Sequence, residues 1–376
     1  MRLYASAFGM ICGGEQIVSP QQMKILHIAP FNVANVPMTF VQAERGLGHE
    51  SRLITFSKNP QGFPEDICLS LPFVNFKGMT HFKRLIGGKS RTEITNIKPE
   101  LIRLPPTWKP NNLEKLFIKF REKLWQPITR QAYQHYQLDQ FDVIQLDSGI
   151  GFFRDGSDII RLKQQGKKII CCYTGSDLRI RGVIPQINEI SDLNVTVEYD
   201  HLKLHPRIHH IFFPFDVEKF KPLPYSDDEI LRIGHAPTNQ AAKGSDVIIR
   251  IVKELEQNYP VNLILIENLP HQEALKRKAE CHIFIDQIGD LGYGINSLES
   301  LAMGIPTCSC LAPGFDEQFS DHPFIIINSE NLKFQLISLI KNKELRIKNA
   351  RQGWKWVKKY HDPIKVVQRI HELAKL

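Results

Sequence analysis

The chain has 376 residues, of which 42% are hydrophobic and 23% charged, and a formal net charge of +8. That length exceeds what one ordinary core organises and predicts two domains of roughly 150–200 residues, while the composition excludes a disordered or fibrous chain. No apolar run approaches the roughly 18–20 residues of a membrane span, so any bilayer contact is peripheral.

Residues 1–22 stand apart. Met1 to Cys12 faintly resemble a signal peptide, yet a polar stretch follows and the first good strand begins at Lys24. The segment is read as an N-terminal extension outside the fold, with Met23 an equally good start. Residues 24–29 then form a short apolar run of the kind buried in a parallel sheet. A loop at 30–37, a helix at 39–47 closed by Gly48 and a strand at 51–56 complete the opening unit of a doubly wound sheet. Residues 58–112 are irregular and rich in Pro and basic residues. A helix over 113–136 carries Leu113, Leu116, Phe117, Phe120, Leu124, Trp125 and Ile128 near helical spacing, and Pro127 is expected to kink or split it. That stripe is either domain core or an amphipathic face on a membrane, with Lys115, Lys119 and Lys123 snorkelling.

Strands follow at 142–146, 168–173, 195–197 and 210–213, with a helix at 158–166 and a turn at 174–177. The Pro-rich segment 214–228 reads as a linker. The pattern then restarts: strands at 230–236, 261–267, 282–286, 306–309 and 324–327 alternate with helices at 244–259, 271–279 and 295–303, and two helices close the chain. The division expected is 1–22 extension, 23–213 acceptor domain, 214–228 linker, 229–360 donor domain, and a closing helix, 361–376, placed to pack back on the N-terminal domain. Fold class is α/β, with two Rossmann-like doubly wound domains facing a cleft.

The excess charge is concentrated. Twelve basic residues against four acids lie between Lys77 and Lys123, either as a solvated face or as a docking patch for an anionic membrane or acidic glycan. Nucleic acid is not expected, because no DNA- or RNA-binding pattern accompanies the charge. The seven cysteines show no zinc spacing and no paired framework, and read as reduced thiols of a cytoplasmic protein. No metal site is expected.

The chemistry concentrates in the second half. Gly292-Tyr293-Gly294 runs into an apolar helix, Ile295 onward, that carries Asn296 and Glu299 and ends at Gly304. A helix beginning there points free N–H groups and the positive end of its dipole out of a turn without obstructing side chains, a seat for diphosphate. Glu299, about two turns in, is placed to accept hydrogen bonds from ribose hydroxyls. His235-Ala236-Pro237-Thr238-Asn239 and Lys243-Gly244 add a polar loop and a lysine at another helix N-terminus. Phosphate binding is one reading of Lys243, a solvated lysine with Thr238 or Asn239 capping the other.

These stretches, with Ile283–Gln287 and the run from Glu299 to Pro306, resemble the donor half of family 4 glycosyltransferases of the GT-B fold. Gly175-Ser176-Asp177-Leu178-Arg179 resembles a loop of one bacterial and archaeal branch, and Asp216 to Pro222 resembles the interdomain hinge. The likeness implies a retaining, metal-independent glycosyl transfer from a nucleotide-diphosphate sugar to an acceptor hydroxyl, in cell-surface polysaccharide or glycolipid synthesis, without a cofactor. It places Lys243 on the donor diphosphate, the backbone of Gly292, Tyr293, Gly294 and Ile295 around it, and Glu299 on the ribose. Thr238, Asn239 and Asn296 complete the donor set, and Asp177, Arg179 and Lys243 are the candidate catalytic residues. Asn32, Asn35, Gly175 and Ser176 are candidates for the acceptor. Asp177 and Arg179 read equally as an ion pair or cap, and Asn32 and Asn35 as turn formers.

Two departures stand out. The first acid of the family's Glu-x7-Glu motif falls on Leu291, with Asp290 only a neighbour, and the loop position often held by histidine is Thr174. A dinucleotide-dependent oxidoreductase is excluded by the absence of glycine in 30–35. The competing reading is a non-catalytic nucleotide-sugar-binding or scaffolding relative. Localisation is expected to be cytoplasmic, at or near the inner face of the membrane.

Overall fold

The computed structural model describes residues 22–74, 104–224, 228–289 and 292–376. Residues 1–21 of the extension, most of the basic run (77–103), and both Asp290 and Leu291 lie outside the described residues.

Two parallel sheets organise the chain. The first comprises β1 (Lys24–Ala29), β2 (Glu50–Thr55), β3 (Ile67–Cys68), β4 (Val143–Asp147), β5 (Lys168–Tyr173), β6 (Leu193–Thr196) and β7 (His209–His210). Its order is β3-β2-β1-β4-β5-β6-β7, the dinucleotide-fold order extended by one strand, with its switch point between β1 and β4. The second comprises β8 (Leu231–His235), β9 (Val261–Leu265), β10 (Ile283–Ile285), β11 (Thr307–Ser309) and β12 (Ile325–Ile326), in the order β12-β11-β10-β8-β9. Its switch point falls between β8 and β10, whose register pairs Ile285 with His235. Ligands in such sheets sit beyond the carboxyl ends of the strands at that point.

Local rules explain the elements. Strands β1 and β5 are buried on both faces, which is why they read as apolar runs rather than alternations. The helix Asn112–His135 starts at a reciprocal capping box between Asn111 and Glu114. It runs through Pro127 without being split, so of the kink or split expected there the split does not occur. Its stripe divides: Leu113, Leu116, Phe120 and Leu124 are exposed, whereas Trp125 is fully buried and Ile128 packs against the core. Three helices, not two, close the chain. Asn342 ends Leu332–Lys341 and caps Lys343–Tyr360, and Asp362 with Pro363 opens Pro363–Ala374. The strand expected at 210–213 is shorter and earlier, because only His209 and His210 pair with β6.

One apolar cluster crosses between the halves. It joins Phe40, Val195 and Phe213 from the first to Tyr293, Leu298, Trp356 and Val366. The last helix buries Val366, Val367 and Ile370, and Ile364 comes within van der Waals reach of Gly46 at the end of the helix Val36–Gly46. Among the described residues no helix is long and apolar enough to cross a membrane.

Candidate functional site

The second sheet's switch point carries the densest polar arrangement. His235, the last residue of β8, lies against the Ile285 carbonyl through Nδ1 (2.9 Å) and against Ser245 Oγ through Nε2 (2.8 Å). A carbonyl only accepts, so Nδ1 carries the proton and Nε2 receives one from Ser245. The ring therefore ties both switch-point strands to the helix Ser245–Glu256. Between them Gly244 turns the chain at φ +70°, and a Cβ there would lie 2.6 Å from Ile288. Only glycine fits.

Lys243, directly before that turn, is buried, and its ammonium is paired with Asp286 at the end of β10. Asp286 is itself buried. Its other oxygen accepts from Gly294 N at 3.1 Å and from Ser297 Oγ at 2.7 Å. Burial alone would raise the Asp286 carboxyl, but the charge of Lys243 and these donors hold it below the usual carboxylate range. Lysine, glycine turn and helix N-terminus thus meet at one carboxylate.

Glu299 lies farther along the helix Ile295–Ala302, also buried. One oxygen receives His271 Nε2 at 2.7 Å, and the other is paired with the ammonium of Lys278, a lysine only 1% exposed. Burial opposes this charge as well, and Lys278 followed by His271 draws the carboxyl below its ordinary value. Lys278 also donates to Asn296 Oδ1 (2.8 Å), and Asn296 Nδ2 reaches the Ala236 carbonyl at 3.1 Å. Glu299 borders a cavity of about 450 Å³ lined from both halves, by Asn35, Phe63 and Pro64 on one side and His271 and Ile295 on the other. Lys243 is not among its lining residues.

The remaining candidates separate by role. Gly292 sits at φ +141°, and a Cβ there would lie 3.5 Å from Glu198 of the first half. Tyr293 turns its ring into the core, stacked on Phe324 with centroids 4.8 Å apart, and its hydroxyl meets His361 Nε2. It offers a ligand backbone only. Asn239 caps a short helix by accepting from Ala242 N, and Thr238 is exposed beside it. On the first half, the Asp177 carboxylate is spent on the amides of Thr174, Gly175 and Leu178. Arg179 does not pair with it. Its guanidinium bonds Asp200 and, at 2.7 Å, Glu198. Gly175 is buried beside Glu198, while Ser176 is exposed. Asn32 is buried and braces its loop through the Asn35 side chain and the Pro64 carbonyl, so only Asn35 reaches the cavity.

Asp286, Ser297, Lys278, His271 and Glu198 carry this geometry without having been singled out in the sequence. A carboxylate at the end of a switch-point strand was the available signal for Asp286. Lys278 had none, standing among the charged residues of the helix His271–Ala279.

No family model matches the chain, and no curated protein matches it by sequence. Solved structures do match over most of it. Sucrose-phosphate synthase of Thermosynechococcus elongatus superposes with a TM-score of 0.60 at 10% identity, over 94% of this chain and 98% of that one. HepE of Anabaena, in complex with UDP, does so with a TM-score of 0.56 at 13% identity, over 94% and 100%. These neighbours are GT-B glycosyltransferases. The chain has the GT-B fold. Loops of the first sheet at Asn35 and Phe63–Pro64 form one lip of the shared cavity, and His271, Ile295 and Glu299 form the other.

Proposed function

We propose that the protein transfers a sugar from a nucleotide-diphosphate donor to an acceptor hydroxyl. The observation that carries this is the convergence of Lys243, the Gly294 amide and Ser297 at the N-terminus of the helix Ile295–Ala302, with Glu299 on the same helix facing the shared cavity. HepE, a structural neighbour, was crystallised with UDP and with UDP-glucose, which supports a nucleotide-sugar donor here.

In this reading Glu299 accepts hydrogen bonds from the ribose hydroxyls, using lone pairs left beside His271 and Lys278. The diphosphate lies at the glycine turn, held by backbone amides and the Lys243 ammonium. As the bond from the sugar to the donor phosphate breaks, negative charge builds on the leaving diphosphate. Groups aimed at that charge stabilise the transition state more than the ground state. The acceptor oxygen forms the new bond on the face the phosphate leaves, and the leaving phosphate takes its proton, so configuration is retained. Glu198, beside the glycine turn, and Arg179, which pairs with it, would touch the transferred sugar. Closure of the cleft excludes water.

We place the acceptor among cell-surface polysaccharide or glycolipid intermediates, and the protein at an anionic membrane surface on the cytoplasmic side. The exposed Leu113, Leu116 and Phe120, flanked by Lys115 and Lys119, support that docking. The domain division stays as drawn from the sequence, with 214–228 as the connector.

The test is incubation of purified protein with a panel of nucleotide sugars. Release of free nucleotide by the wild type, lost in Lys243→Ala, is expected. A thermal shift with no turnover toward any donor or acceptor mixture assigns the protein instead to the binding relatives.

A further inference from the structure

We propose that Asp286 is a built-in stand-in for phosphate, a carboxylate that takes an anion's place at the glycine turn and is displaced when the donor diphosphate arrives. The inference rests on the donor reading above and adds a residue that tunes it.

The donors around Asp286 are those a diphosphate needs: the Lys243 ammonium, the Gly294 amide at 3.1 Å and the Ser297 hydroxyl at 2.7 Å. All three bind one side chain that is 1% exposed. No other carboxylate among the described residues draws together a cation, a helix-opening amide and a hydroxyl from both sides of a switch point. Asp286 keeps its charge, since the donors hold its carboxyl low against the effect of burial. Two consequences follow from electrostatics. Without nucleotide, the buried pair is close to neutral, so Lys243 stays ordered rather than collapsing elsewhere or capturing stray anions. With nucleotide, every phosphate oxygen that reaches Ser297 and Gly294 does so in competition with a resident negative charge. That competition lowers affinity for the donor and for the product diphosphate alike, and it favours release of the product once the sugar has left.

Asp286→Asn removes the charge and keeps the shape. Its dissociation constant for the best-bound member of a UDP, GDP, ADP and TDP panel, measured by calorimetry, is expected to fall about tenfold or more relative to wild type. A residue that merely held the fold together would give weaker binding. Lys243→Ala, measured in parallel, is expected to weaken the same ligand. If Lys243→Ala weakens binding but Asp286→Asn binds no tighter than wild type, the stand-in is wrong and the donor site remains. If wild type, Lys243→Ala and Asp286→Asn all bind the panel equally or not at all, the donor reading falls and takes this inference with it. A wild-type crystal soaked with the same nucleotide gives an answer independent of whether the variant folds. Phosphate oxygens on Ser297 Oγ and the Gly294 amide, with Asp286 turned away, are expected. A bound diphosphate with all three Asp286 contacts intact overturns the proposal.

Discussion

Glu299 shows how a residue's surroundings decide what its mutation reports. Its carboxylate is both the proposed ribose anchor and the counter-charge of Lys278, which is almost wholly buried. Alanine at 299 would strand that ammonium, and breaking a buried pair in this way costs about 3–5 kcal/mol. Loss of binding in such a variant would say little about ribose. Glu299→Gln keeps an acceptor and most of the packing. It is expected to weaken a ribonucleoside diphosphate by about tenfold, in line with hydrogen bonds to a charged group, and to leave a 2′,3′-dideoxy analogue unaffected. Equal losses for both analogues in parallel titrations would remove the ribose assignment. Arg179 carries a similar lesson: its partners proved to be Asp200 and Glu198, 21 and 19 residues away, rather than Asp177 beside it in the sequence.

At the scale of elements, the helix Asn112–His135 departs most from what periodicity suggested. Apolar residues at helical spacing ordinarily mark a buried face. Here only Trp125 and its neighbours reach the core, and the N-terminal half leaves Leu116 67% and Phe120 56% exposed. Lysines at 115 and 119 flank them. Leu116→Glu combined with Phe120→Glu should leave the melting temperature unchanged, since neither side chain is buried. The same pair should abolish sedimentation with vesicles containing anionic lipid at low salt. Retained sedimentation in the double variant would move the membrane contact away from this helix. The glycine-turn helix, by contrast, was readable in advance, because its turn, its apolar face and its acid lie within a few residues of each other. Pro127 does not split the helix, because a single missing N–H is tolerated in a long capped helix, and the helix runs on to His135.

For the whole molecule, buried histidines set the response to pH. His27 lies between Glu44 (2.9 Å) and Asp147 (3.0 Å) under the first sheet. Burial alone would depress its pKa, but those carboxylates push it up to about 10. A folded-state value above the unfolded one stabilises fully below about pH 6.5 and is lost as pH rises toward the folded value. Glu44, pushed down to about 2, works at the other extreme, its contribution fading as pH falls through that value. His205 and His210 are depressed to about 4 and His361 to about 3, burial being the largest cause in each case. Unfolding lets these rings take up protons, so their effect is a loss of stability as pH falls below about 6.5. The melting temperature should therefore peak near pH 6.5 and decline on both sides, with the alkaline decline flattened in His27→Gln. A profile that keeps rising to pH 9 would contradict the charged state of His27. His361 also bridges the halves, accepting from the Tyr293 hydroxyl and donating to the Phe213 carbonyl, so acid unfolding should begin where the halves meet.

Most strands of both sheets, the restart of the pattern past residue 228 and the glycine turn at Gly292–Gly294 were written in the sequence, whereas β3 and the third closing helix were not. The legible features depend on short-range hydrophobic period, glycine conformation and helix capping, which neighbouring residues determine among themselves. What only the tertiary structure decided is which charges meet. Lys243 and Asp286 are 43 positions apart, and Lys278 and Glu299 are 21 apart. Parallel strands separated by helices bring such residues to one sheet edge through connections whose length carries no local signal. Sequence proximity therefore named the lysine and the acid as ligand groups, while the fold showed that each already holds a buried partner.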